Sequence, residues 1–156
     1  MSKIDIDLAA MWSVIEEVIS SGGEFRLFPR GTSMMPLIRE GKDSVALVLP
    51  KDIKKGDIVL YKRSNGQFVL HRVVKIKNGE YLMCGDNQYT VEHGIKKDDI
   101  LAVVGRIFRD ESEIPKDSPG YARYISSLPS RRLKKRIRAK LSAVKRRIIK
   151  KKSEEQ

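Results

Sequence analysis

Residues 57–84 read DIVLYKRSNGQFVLHRVVKIKNGEYLMC. Three runs rich in Val, Ile, Leu and Tyr are separated by Asn65-Gly66 and Asn78-Gly79. An Asn-Gly pair between strand-like runs is a strong hairpin signal, because both residues tolerate the positive φ of a tight turn whose twist matches the flanking strands. The runs 57–62, 67–76 and 80–84 are therefore predicted as consecutive antiparallel strands. Working outward, the same pattern predicts strands at 25–28, 44–49 and 101–108, with Gly41 and Gly56 marking breaks. The stretch from Glu24 to Arg109 thus reads as one mostly-β domain without a fixed-period repeat.

The flanks change period. Leu8, Met11, Trp12, Ile15 and Ile19 recur at helical spacing, so residues 5–21 are predicted as an amphipathic helix, with Asp5 or Asp7 capping its start and Gly22-Gly23 ending it. Such a stripe suits packing on a core. It also suits a membrane surface, although Glu16 and Glu17 oppose an anionic one. Residues 110–129 hold Pro115, Pro119 and Pro129 and read as a linker. A second helix is predicted from near Ser130. In it Leu133, Ile137, Leu141, Val144 and Ile148 fall within an arc of about 80° at 100° per residue. The expected organisation is an N-terminal helix (1–24), a β domain (25–109), a linker (110–129) and a basic amphipathic helix (130–156): a mainly β fold flanked by two helices.

Of the 156 residues, 32 are Lys or Arg and 20 are Asp or Glu, a net charge of +12. Thirteen of the bases lie between Arg131 and Lys152, a segment without an acid. Nineteen bases then face 20 acids elsewhere, so the rest of the chain is about neutral and the tail carries the charge. Such a tail can be an idle solvated helix, a membrane-surface helix or a nucleic-acid arm. Its apolar stripe favours docking on an anionic membrane, where each base near the surface is worth about 1 kcal/mol. Nucleic acid is the weaker choice, since the segment lacks an aromatic residue to stack on bases. One cysteine, Cys84, excludes an internal disulfide and a cysteine-built zinc site, and reads as a small buried apolar group. No metal or cofactor is implied. No apolar run reaches eighteen residues and no secretory signal is visible, so the expectation is a cytoplasmic protein, with peripheral attachment to the inner face of the cell membrane as the option the tail opens.

Three stretches carry candidate chemistry. Arg30-Gly31-Thr32-Ser33-Met34-Met35-Pro36 presents a serine in a Gly/Pro loop, which is a turn former or a nucleophile. Phe68-Val69-Leu70-His71-Arg72-Val73-Val74 puts a histidine on an apolar strand face with Val69 and Val73. It is either a core histidine or the base a serine needs, imidazole being the side chain best able to take that proton near neutral pH. Met83-Cys84-Gly85-Asp86-Asn87 sits at a strand-to-turn junction, where Asp86 builds an Asx turn or orients His71. His93, in a polar stretch, reads as a surface residue.

In this order these stretches resemble the signal peptidase I and self-cleaving repressor (S24/S26) serine peptidase superfamily, from about Phe25 to Phe108. Gly31-Thr32-Ser33-Met34-Met35-Pro36 is similar to the nucleophile box, Lys55-Gly56-Asp57-Ile58-Val59 to the following strand start, His71-Arg72-Val73-Val74 to the box of the general base, and Gly85-Asp86-Asn87 to the Gly-Asp-Asn box. Histidine before Arg72 resembles the endoplasmic-reticulum and archaeal signal peptidases; bacterial members and repressors use lysine. The resemblance implies Ser33 as nucleophile, His71 as base and Asp86 as orienting acid, with Asp98, Asp99 or Glu92 as alternatives. Gly31 stands where bacterial members often carry a hydroxyl residue. The oxyanion hole would then rest on backbone N–H groups such as that of Ser33, with Thr32 beside it, and Met34, Met35 and Pro36 would border the substrate.

The implied reaction is hydrolysis of a peptide or protein lying extended along a strand edge, with small residues beside the scissile bond. Two other readings compete. A self-cleaving repressor needs a DNA-reading domain, for which the roughly 24 residues before the β run are too few. A non-catalytic peptide-binding module on the same fold needs no chemistry from Ser33.

Overall fold

The computed structural model describes residues 8–154; Asp5, Asp7 and the side chain of Ile148 lie outside the described residues. Helix α1 (Leu8–Ser20) is followed by strands β1 (Phe25–Leu27), β2 (Ser44–Val48), β3 (Ile58–Lys62), β4 (Phe68–Lys77), β5 (Glu80–Cys84), β6 (Glu92–Ile95), β7 (Ile100–Arg109) and β8 (Ser112–Glu113), and then by helix α2 (Pro119–Glu154). The strands form one antiparallel sheet in the order β1-β2-β7-β3-β4-β5-β6, with β8 paired to β7.

Both Asn-Gly pairs turn hairpins. Asn78 and Gly79, at φ 51° and 77°, join β4 to β5 with Lys77 opposite Glu80. Positive φ at both central residues is the type I′ geometry. At the other hairpin the Arg63 carbonyl accepts from the Gly66 N–H, and Lys62 then stands opposite Phe68.

Strand β3 is buried on both faces, so its residues alternate between two cores. Ile58 and Leu60 pack with Ile15 and Ile19 of α1 and with Val45, Leu47, Ala102 and Val104. Val59 and Tyr61 pack with Val73, Met83, Ile95 and Ile100. The stripe on α1 is thus a core-packing stripe, with Ile15 and Ile19 fully buried. Register shifts interrupt the β2–β7, β3–β7, β4–β5 and β5–β6 pairings, and such shifts bend a sheet.

Two elements escape the period-two reading. β6 is a Glu-His-Gly-Ile segment with no apolar alternation, and β8 is two residues long. A third difference lies in 110–129, expected as a linker. α2 begins at Pro119, eleven residues before Ser130. Proline suits the first helical position because its φ is pre-set and its missing N–H is not needed there. The Ser118 hydroxyl accepts the Tyr121 N–H at 3.2 Å, capping the helix. Pro129 stays inside α2 at the cost of one helical hydrogen bond. Packing compensates: Leu128 is buried, and Tyr121 and Tyr124 lie against the first core. Among the described residues no helix is long and apolar enough to cross a membrane.

Candidate active site

Ser33 lies in the loop between β1 and β2, and several elements hold that loop. On entry Gly31 takes φ 83° and donates its N–H to Glu40 Oε1 at 2.7 Å. At the exit Arg109, ending β7, donates to the Pro36 and Leu37 carbonyls at 2.9 Å each. Asp43, fully buried, accepts both the Arg39 backbone N–H and its guanidinium. Met34, Leu37 and Ile38 anchor the loop in the first core, with Met35 half-buried and Pro36 exposed. Of the two methionines expected at the groove, Met34 lines it.

The Gly85-Asp86-Asn87 turn clamps the same loop. Asn87 donates its backbone N–H to the Ser33 carbonyl at 2.7 Å and its side-chain amide to the Thr32 carbonyl at 3.0 Å. A Cβ on residue 85 would stand 2.6 Å from the Ser33 carbonyl oxygen, so only glycine permits this approach. Among the described residues the Ser33 N–H has no acceptor and the Ser33 hydroxyl no partner.

His71 sits on β4 opposite Val59, 4% exposed. With Ser33 it lines a groove of about 240 Å³ that also takes in Arg30, Gly31, Met34, Gln67 and Phe68 to Leu70. No direct hydrogen bond joins the serine hydroxyl to the imidazole. His71, Arg63 and Gln88 also border a wider adjoining cleft of about 860 Å³, walled by residues 87–92 and by Lys135 and Arg138 of α2.

Asp86, expected as the orienting acid, does not bond His71. Arg72 engages both its oxygens, at 2.8 and 2.7 Å, and the Tyr124 hydroxyl donates to it at 2.9 Å. Side-chain exposure of the Arg72–Asp86 pair is 2% and 0%. Arg72 also donates to the Gly56 carbonyl at 2.6 Å and to the Tyr121 hydroxyl at 3.3 Å. Burial works against the arginine charge, but the carboxylate outweighs it and holds the guanidinium protonated. The Gly-Asp-Asn box thus ties together β4, the Gly56 turn and α2.

The acid that does reach His71 is Glu92, through Tyr61. The Tyr61 hydroxyl lies 3.2 Å from His71 Nδ1 and donates to Glu92 Oε2 at 2.8 Å. Arg63 grips the same carboxylate with two hydrogen bonds at 2.7 and 2.6 Å, and this holds the Glu92 pKa below its ordinary value. Burial, reinforced by Glu92, pushes the Tyr61 hydroxyl well up, so it stays protonated. A phenol has one proton. With that proton given to Glu92, the Tyr61 oxygen can only accept from His71. The network therefore assigns the imidazole N–H to Nδ1 and leaves Nε2 the basic nitrogen. Burial pushes the His71 pKa down from 6.5 to about 4, against the opposing pull of Glu92, so the ring is neutral at pH 7.

Asp98 and Asp99 do not line the groove; Asp99 accepts the Lys96 N–H at 2.8 Å. His93 is exposed. Cys84 is fully buried, and burial pushes its thiol pKa up, away from the reactive thiolate. No three His, Cys, Asp or Glu residues among the described ones are placed to share a metal ion. Tyr61 was missed in the sequence. It stands opposite Val69, so His71 is its diagonal neighbour across the pair. Carrying the Asn65-Gly66 hairpin register one step further along both strands would have found it.

A family model described as Peptidase S24-like matches residues 5–108, a span that takes in α1, strands β1 to β6 and all but the last residue of β7. No curated protein and no solved structure matches the chain.

Proposed function

The chain belongs to the Peptidase S24-like family, and from that premise we propose that it is a serine endopeptidase working through Ser33 and His71. The observation that carries this reading is a neutral imidazole, its Nδ1–H committed to the Tyr61 oxygen, bordering the groove that Ser33 borders. The Ser33 hydroxyl attacks the scissile carbonyl and His71 takes its proton at Nε2. The developing oxyanion is met by backbone N–H groups, that of Ser33 being unclaimed. The imidazolium then protonates the leaving amine, and water, deprotonated by the same ring, releases the acyl group. Glu92 acts through Tyr61 as the orienting acid. The type is thus Ser-His, as in the endoplasmic-reticulum and archaeal signal peptidases, with tyrosine between histidine and acid.

The substrate runs along β4. Residues Phe68 to His71 pair with β3 on one side, and β5 takes up pairing on the other side only from Arg72. The edge from Phe68 to His71 borders the groove and suits an extended peptide added as a further strand. The deciding experiment is cleavage of a peptide library rich in small residues by the native chain and by its Ser33→Ala variant. A groove that captures peptides without cutting them would make the protein a binding module instead.

Two predictions follow from the histidine. A base with pKa about 4 stays unprotonated until the pH falls well below 6.5. The acid limb of kcat/KM should therefore lie near pH 4, and a limb near 6.5 would contradict the buried geometry. Stability has the matching sign. Between pH 6.5 and about 4 the unfolded chain binds a proton that the folded chain refuses, so stability falls as the pH falls through that window.

Tyr61→Phe removes the link to Glu92 and keeps the packing. Its kcat should fall on the order of tenfold to a hundredfold with KM unchanged, less than the ~10⁴ of a triad acid replaced by its amide, because no competing donor is introduced. An unchanged kcat and pH profile would remove Tyr61 from the mechanism.

A further inference from the structure

Helix α2 has two opposite faces. Tyr124, Leu128, Arg132 and Lys135 point to the domain: Leu128 is buried, Tyr124 bonds Asp86, Arg132 stands 3.7 Å from Asp86, and Lys135 donates to the Asn87 carbonyl at 2.6 Å. At 100° per residue the stripe of Leu133, Ile137, Leu141 and Val144 is centred about half a turn away from that face. These four residues are all exposed, Ile137 by 49% and Leu141 by 62%. Arg136, Lys140 and Arg147 border the stripe on one side, and Lys134 and Lys145 on the other.

We propose that this outer face of α2 docks on an anionic lipid bilayer. The apolar stripe enters the acyl boundary and the flanking cations meet the headgroups. A second copy of the chain is a poor occupant, because each tail would bring thirteen positive charges against thirteen. A nucleic acid would use the cations and leave the stripe in water. The docked helix is also a wall of the wider cleft, through Lys135 and Arg138. Lys135 holds Asn87, and Asn87 holds the Ser33 loop. The lipid-facing helix therefore sets the groove beside the membrane surface. This inference does not rest on catalysis by Ser33.

The test is flotation of the full chain with vesicles of phosphatidylcholine alone and of phosphatidylcholine mixed with phosphatidylglycerol. The chain should float with the mixed vesicles, remain behind with the neutral ones, and be released as salt is raised. An Ile137→Glu, Leu141→Glu double variant, altered only at exposed positions, should bind the mixed vesicles at least about tenfold more weakly and melt at the native temperature. Equal flotation with neutral vesicles, no flotation at all, or a stripe variant that binds as the native chain does would overturn the proposal. So would retention on duplex DNA without vesicle binding, or a dimer in solution that the double variant dissolves.

Discussion

Ser33→Ala should slow peptide cleavage by at least about 10³-fold and leave the fold unchanged. The expected loss is large because in the proposed mechanism the nucleophile and its base act as a unit, and removing either disables both halves of acyl transfer. The fold should survive because the lost hydroxyl has no partner among the described residues, while the loop's carbonyls accept from the Asn87 backbone N–H and the Arg109 guanidinium. His71→Ala should cost a comparable factor. The double variant should be little slower than either single one, the signature of groups that work together. The readout is product formation by native and variant chains of equal thermal midpoint, together with Ser33-dependent labelling by a fluorophosphonate. Cleavage by Ser33→Ala at the native rate would end the serine peptidase reading.

Asp86→Ala should destabilise the protein by about 3–5 kcal/mol, the usual cost of leaving one member of a buried ion pair uncompensated. In a chain of this size that corresponds to a fall of the thermal midpoint of about 10 °C or more. The effect is large because the substitution strands a guanidinium that is 2% exposed and also frees the Tyr124 hydroxyl. Replacing both partners, Arg72→Met with Asp86→Leu, should recover part of the loss, since no charge is then left buried. The pair is structural and meets neither Ser33 nor His71. The Asp86 carboxylate nevertheless adds to the field that favours the charged imidazole, so a folded fraction of Asp86→Ala should keep the acid limb of the pH profile or shift it slightly to lower pH. A stable Asp86→Ala protein whose acid limb moves to higher pH, or whose kcat collapses with the fold intact, would return Asp86 to the catalytic set.

The strands were legible where the signal was local. Asn78-Gly79 dictates its own turn, and alternation along 57–84 dictates which side chains share a face. β6 was not legible, because Glu92 to Ile95 has neither alternation nor strong strand formers; pairing with β5 makes it a strand. The start of α2 was misplaced for a related reason. Prolines at 115, 119 and 129 read locally as breaks, while the burial of Leu128 and the fit of Tyr121 and Tyr124 against the core, which override that preference, are long-range.

The candidate site divides in the same way. The boxes around Ser33, His71 and Asp86 stand in the sequence because each is a short run with its own turn or strand chemistry. Which acid the histidine meets, directly or through another side chain, is decided across strands. Arg72 follows His71 in the chain, so strand alternation sends it to the other face of β4, where it captures Asp86. That leaves the imidazole to Tyr61 on the neighbouring strand and to Glu92 beyond it. A chain written in one dimension specifies alternation and turns; the partner of a buried charge is chosen only when sheet register and the packing of a distant helix bring particular side chains within a few ångströms.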